Sequence, residues 1–194
     1  MCRWVAHAGP EIYLEDLIFH QEHSIVRQSL AATQSAWATN GDGFGVAWYN
    51  QRTVPGLFKD VLPAWNDANL RSIAAHTKTK LFFAHVHYPH REGTTDSEAL
   101  FLVARSKGLI QDPIAVIQAT LRDVTTIMDK YKADEPMRIS CALTNGQDMW
   151  AFRYSSDDQS PSMYYGAPHT RASENGLHPI TTIASEPLDS DAAH

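Results

Sequence analysis

The chain has 194 residues, of which 43% are hydrophobic and 20% charged, the make-up of one ordinary folded domain. Its 16 Lys and Arg against 22 Asp and Glu give a net charge of −6, and no basic cluster longer than a pair breaks that balance, which argues against nucleic acid or an anionic membrane as partner. Two cysteines, Cys2 and Cys141, are too few for a disulfide scaffold and form no Cys-x-x-Cys pair.

No run approaches the ~20 apolar residues of a membrane helix. Arg3, His7, Glu11, Glu15 and Asp16 interrupt the N-terminus where a signal peptide needs an apolar segment. The expectation is a cytoplasmic protein processed only by loss of Met1.

In chain order, an apolar opening from Cys2 to Ala8 meets a turn signal at Gly9-Pro10, and Tyr13 to Ile18 has helical spacing for about one and a half turns. Gly45-Val-Ala-Trp-Tyr49 predicts a strand entered from the tight loop Asn40-Gly-Asp-Gly43. Asn66-Asp67 caps a helix with Leu70, Ile73 and Ala74 on one face. Leu81-Phe-Phe-Ala-His-Val-His87 predicts a central strand buried on both faces.

Thr94-Thr-Asp-Ser-Glu98 supplies capping chemistry for a helix ending near Gly108. Asp112-Pro113 starts a second helix, in which Ile114, Ile117, Leu121, Val124, Met128 and Tyr131 recur at spacings of three and four. Met137 to Leu143 alternate, Asn145-Gly146 turns, and Met149 to Tyr154 returns, a hairpin pattern. Residues 155–178 predict loop with one short strand at Met163 to Tyr165, and Ile180 to Ser185 predict a last strand. The whole predicts a layered α+β domain over 1–194.

Cys2 is a candidate nucleophile because loss of Met1 leaves its α-amino group, with a pKa near ~8, beside its own thiol. Nucleophile and base would then share one residue. By itself a cysteine at position 2 is far more often an apolar strand residue, like Cys141, than a nucleophile.

The segments Met1-Cys-Arg-Trp-Val-Ala, Asn40-Gly-Asp-Gly-Phe-Gly45, Phe83-Ala-His-Val and Gly93-Thr-Thr-Asp-Ser-Glu98 together resemble, in order and spacing, the single-domain class II glutamine amidotransferases. The resemblance implies a four-layer αββα sandwich of the N-terminal nucleophile hydrolase type, in which the cysteine attacks the side-chain amide of glutamine and forms a glutamyl thioester. It implies Cys2 as nucleophile, Asp96 as anchor of the substrate α-ammonium, and the Asn40-Gly41 loop beside the nucleophile. No cofactor or metal is implied. The implied partners are glutamine or a γ-glutamyl compound and, for a glutaminase, a synthase subunit receiving ammonia.

Two departures from the family pattern stand out. His87 occupies the position where the family has an arginine for the substrate carboxylate, and an imidazole is a poor substitute for a guanidinium fork. Only Tyr88 to Glu92 separate that strand from the Thr-Thr-Asp-Ser-Glu segment, where the family has several tens of residues that include an Asn-Gly oxyanion pair. The expectation is therefore an incomplete sandwich, shortened internally and ending near Glu186-Pro-Leu-Asp before the closing strand. The alternative is a degenerate, non-catalytic domain with a binding role or none. His85-Val-His87, with His90 nearby, offers two imidazoles to one strand face as a candidate metal pair, but no nearby carboxylate completes a ligand set.

Overall fold

The apolar N-terminal run becomes β1 (Arg3–Tyr13), an 11-residue strand. The computed structural model describes residues 3–30, 41–86, 96–167 and 181–190. The turn expected at Gly9-Pro10 is instead an irregularity within β1, whose register against its neighbour shifts between Ala8 and Ile12. Pro10 has no N–H to give a ladder. Its carbonyl accepts from His7 Nε2 at 2.9 Å, so the disturbance is satisfied locally and the strand resumes.

β1 pairs with β4 (Lys78–Val86), β4 with β2 (Phe44–Tyr49), and β2 with β3 (Gly56–Asp60). On its other side β1 pairs with β8 (Thr182–Ala184), and β8 with β7 (Tyr164–Gly166). The result is a six-stranded, fully antiparallel sheet of order β3-β2-β4-β1-β8-β7, with β4 central as its apolar run predicts.

Alternation divides this sheet into two faces. Val5, Phe44, Val46, Phe82, Ala84 and Val86 are buried together against α1 (Leu14–Ile18), α2 (Ile25–Leu30) and α3 (Ala68–His76), which contribute Leu14, Leu17, Ile25 and Leu70. Apart from Ala84, each such side chain contributes ~1.5–3 kcal/mol on full burial. Asp67 caps α3, accepting from Leu70 N at 2.7 Å.

The opposite face carries Trp4, Phe83, His85 and Tyr49, and it looks onto a second sheet of two strands, β5 (Arg138–Thr144) and β6 (Met149–Ser155). Trp4 Nε1 donates to Ser140 O across the gap at 3.1 Å. A cavity of about 230 Å³ also lies between the sheets, bounded by Ala47, Tyr49, Phe83, Ala142 and Thr144 among others. β4 is consequently not buried on both faces: Phe82, Ala84 and Val86 are, while Phe83 and His85 are half-buried. Two facing strands are too few to cover six.

The outer face of β5–β6 packs Ile139, Leu143, Phe152 and Tyr154 on α4 (Asp96–Ser106) and α5 (Pro113–Tyr131). α5 begins as predicted, with Asp112 accepting from Ala115 N at 3.0 Å and Pro113 in the first turn, and it ends at Lys132 in the left-handed region, φ 53°. Its predicted apolar stripe is only partly used: Ile117 and Leu121 are buried, whereas Ile114 and Tyr131 are exposed. A 19-residue helix spans ~28 Å, more than the ~23 Å length of a seven-residue strand, so it outruns the hairpin that it packs on. No helix among the described residues is long and apolar enough to cross a membrane.

Candidate functional site

Three chain segments meet at one end of the six-stranded sheet. Arg3 pairs with Val86, and Val86 pairs on its other side with Phe44, so β1 begins, β4 ends and β2 is entered at the same place. In the sequence Cys2 directly precedes Arg3 and His87 directly follows Val86. Cys2, His87 and Asn40 themselves lie outside the described residues, as do the capping residues Thr94 and Thr95.

The loop into β2 explains its glycines by close approach. Gly43 has φ +113°, and a Cβ there would sit 2.6 Å from the backbone oxygen of Asp60. Only glycine meets both conditions at low cost. Gly41 lies against Trp65, whose ring would be 3.0 Å from an added Cβ. Asp42 between them is exposed.

Asp96 is the first residue of α4 and is exposed. Its Oδ1 accepts from Ser97 N at 2.7 Å and from Ser97 Oγ at 3.3 Å, the bonding a carboxylate makes at the positive end of a helix. The structure therefore displays the helix-start role of Asp96 directly.

The sequence reading passes over the best-defined polar structure at this sheet end. Arg3 is 1% exposed, and its Nε donates to Glu186 Oε1 at 2.6 Å in a buried ion pair. Its Nη1 and Nη2 are buried without a hydrogen-bond partner among the described residues. Beside this pair Trp4 N donates to Ser185 Oγ, and Ser185 N donates to Trp4 O, both at 3.0 Å. The segment after Glu186 is held in turn, Pro187 O accepting from Gln28 Nε2 at 3.2 Å and Leu188 O from His23 N at 2.8 Å. One signal was available, since a lone arginine at a buried-strand position next to Cys2 requires a partner. The partner's identity was not, because Glu186 stands 183 residues away.

Further along β1, His7 is fully buried. Its Nε2–H donates to Pro10 O, so Nδ1 accepts from the Thr182 hydroxyl at 3.2 Å. Burial lowers its pKa below the usual 6.5.

Other candidates separate from the site. The Asn145-Gly146 turn is consumed by its own hairpin: Asn145 Oδ1 accepts from Gln147 N at 2.9 Å and from Asp148 N at 2.7 Å, and Gly146 packs on the ring of Tyr49, at the opposite end of the sheet from Arg3. The Cys141 thiol is pushed up to about 11 by burial, which leaves little thiolate at neutral pH. His85 lies opposite Trp4 and Gly45. Among the described residues no group of three or more His, Cys, Asp or Glu could hold a metal ion.

This antiparallel sheet with its flanking helices defines a mixed α/β fold shared with a solved structure described as a glutamine aminotransferase class-II domain protein from Silicibacter pomeroyi. That structure superposes with a TM-score of 0.72 at 32% sequence identity, over 97% of this chain and 88% of the other. The chain belongs to the class II glutamine amidotransferase family.

Among curated proteins it is similar to the probable glutamine amidotransferase DUG3 of Saccharomyces cerevisiae, 42% identical over 95 residues, and to the gamma-glutamyl-hercynylcysteine sulfoxide hydrolase of Mycolicibacterium smegmatis, 30% identical over 87 residues. Each match takes in 44% of this chain, and they span 27% and 38% of the two relatives' lengths. No family model matches the chain.

Proposed function

We propose that the chain is a glutamine amidotransferase-like hydrolase acting on the side-chain amide of glutamine or on a γ-glutamyl amide, with Cys2 as its nucleophile. The observation that carries this reading is the register at the sheet end, which brings the chain leading to Cys2, the chain leading to His87 and the Gly41–Gly43 loop side by side. Family membership then selects amide hydrolysis as the chemistry for that arrangement. The fold is read as one αββα domain, with α1–α3 and α4–α5 as outer layers and the second sheet reduced to β5 and β6.

In this mechanism the Cys2 α-amino group takes the thiol proton and the sulfur attacks the γ-carbonyl carbon. The proton passes to the departing nitrogen, ammonia or an amine leaves, and a γ-glutamyl thioester remains. Water, deprotonated by the same amine, then adds to the thioester, and loss of the thiol releases glutamate. Asp96 would pair with the substrate α-ammonium and His87 would face its carboxylate. The Asn40-Gly41 loop would lie beside the nucleophile, and the family's Asn-Gly oxyanion pair falls in the shortened segment, a loss worth ~10²–10³ in rate per donor. The hydrolase named among the relatives acts on a gamma-glutamyl compound, which supports the γ-glutamyl amide as substrate class. A glutaminase feeding ammonia to a synthase subunit is the other form of the same chemistry.

One observation favours a second reading. β5 and β6 pair only with each other among the described residues, and two edges left open among those residues are what a non-catalytic remnant that self-associates would show.

Intact mass before and after exposure to a diazoketone analogue of glutamine decides between the two. Loss of Met1 and one adduct, absent from Cys2→Ala, is the expected result. A folded, Met-free protein that takes up no adduct and elutes as an oligomer from a sizing column would establish the second reading instead.

A further inference from the structure

Stability does not account for the Arg3–Glu186 pair. A buried ion pair roughly breaks even against apolar residues of the same volume only when every remaining donor is satisfied. Here Arg3 is 1% exposed, its Nε alone reaches Glu186, and both Nη groups are buried without partners. Two buried donors left without partners among the described residues each add a desolvation penalty of their own.

The position of the pair suggests what it does instead. On the β8 side the regular ladder of β1 ends at Val5↔Ala184. From there toward the N-terminus side chains take over part of the pairing: Ser185 Oγ accepts from Trp4 N, and Glu186 accepts from Arg3 Nε. The anchoring strand continues into a segment held to the helical layer through Gln28 and His23. The residue that directly follows Cys2 is therefore fixed on that side by a directional side-chain contact from a firmly held part of the chain.

We propose that Arg3 and Glu186 are positioning residues for the N-terminal nucleophile, setting the direction in which the backbone enters Cys2 and hence the approach of its thiol and amine to a substrate carbonyl. This rests on the reading of Cys2 as nucleophile. A misplacement of about 1 Å in such a geometry costs ~10²-fold in rate, so a contact that touches no substrate can still govern reactivity.

The test removes both partners together. An Arg3→Met/Glu186→Leu protein keeps the volume and leaves no buried charge, so its melting midpoint is expected to stay close to that of the wild type. Its maximal rate of labelling at Cys2 by the diazoketone analogue is expected to fall at least ~10-fold, with the half-saturating reagent concentration unchanged. Arg3→Lys, which keeps the charge without the planar fork, serves as a second variant and is expected to fold and to recover part of the rate.

Labelling of the folded double variant at the wild-type rate would overturn the proposal. So would a raised half-saturating concentration at an unchanged maximal rate, which would make the pair a substrate-binding element. If the double variant does not fold, Arg3→Lys decides alone: a wild-type maximal rate overturns the proposal and a reduced one supports it. A wild-type protein that takes no label at Cys2 fails one step earlier, removing the nucleophile reading itself.

Discussion

Trp4 Nε1 donates to the backbone oxygen of Ser140 at 3.1 Å, tying β1 of the large sheet to the two-stranded sheet opposite. The bond spans a layer that is otherwise thinly filled, since Phe83, His85 and every residue of β5 and β6 stop short of full burial. Trp4→Phe keeps most of the ring contact and removes the donor. It is expected to cost about 0.5–1.5 kcal/mol, the usual net worth of one hydrogen bond. Urea unfolding should show the midpoint moving to lower denaturant with the slope unchanged. A lower slope would mean that the two sheets no longer unfold together.

His7 makes stability fall in mild acid. Its pKa in the folded state lies below the ordinary 6.5 because burial disfavours the charged ring. As pH drops through the ordinary value, the unfolded chain takes up a proton that the folded chain refuses, so the unfolded state gains and stability declines. Above about pH 7 neither state binds that proton and the effect vanishes. Denaturation midpoints measured from pH 7.5 down to 5.5 should therefore decrease. His7→Gln, which can still donate to Pro10 O, should flatten part of that slope. A slope identical in the variant would assign the acid sensitivity to another group.

Which of these features the sequence announces depends on how far apart the interacting residues lie. α5 and the β5–β6 hairpin are legible because their signals are local: three-and-four spacing over several turns, an Asp-Pro start, and an Asn-Gly turn between alternating runs. β4 is legible as a continuous apolar run, although its second face proves half-covered because that depends on how many strands lie opposite. The short strands expected near Met163 to Tyr165 and Ile180 to Ser185 are present as Tyr164–Gly166 and Thr182–Ala184.

α2 escaped because it buries Gln28 and Ser29 along with Ile25 and Val26, so no apolar face stands out from a polar one. β3 escaped because, as an edge strand, it turns Phe58 inward while Leu57 stays exposed. At the site, the motif segments reveal themselves by order and spacing, yet the Arg3–Glu186 and His7–Thr182 contacts join the two ends of the chain. No local pattern carries that information, only the oddity of polar residues inside an apolar strand.

Gly43→Ala should damage the fold and not merely the site. The residue sits at φ +113°, where an L side chain is strained, and its Cβ would fall 2.6 Å from Asp60 O, which belongs to the edge strand that β2 must pair with. Strain of ~1–3 kcal/mol adds to the displacement of β3. A clear loss of thermal stability is expected, together with proteolytic cleavage near 56–62. A variant with an unchanged melting midpoint would show that the loop relaxes away from β3.

The two cysteines should differ sharply in reactivity. Burial holds the Cys141 thiol at about 11, and its side chain stands in β5 opposite Phe152. Iodoacetamide at pH 7.5 needs both the thiolate and access to the sulfur, so Cys141 should react slowly in the native protein and readily once urea unfolds it. In Cys2→Ala, where only Cys141 remains, native alkylation followed by mass spectrometry should show essentially unmodified protein over a time in which a free peptide thiol is consumed. Rapid modification of that variant would mean that the β5–β6 sheet opens in the native state. The layer between β5–β6 and the helices α4 and α5, where the same face carries Ile139 and Leu143, would then be a site of local unfolding.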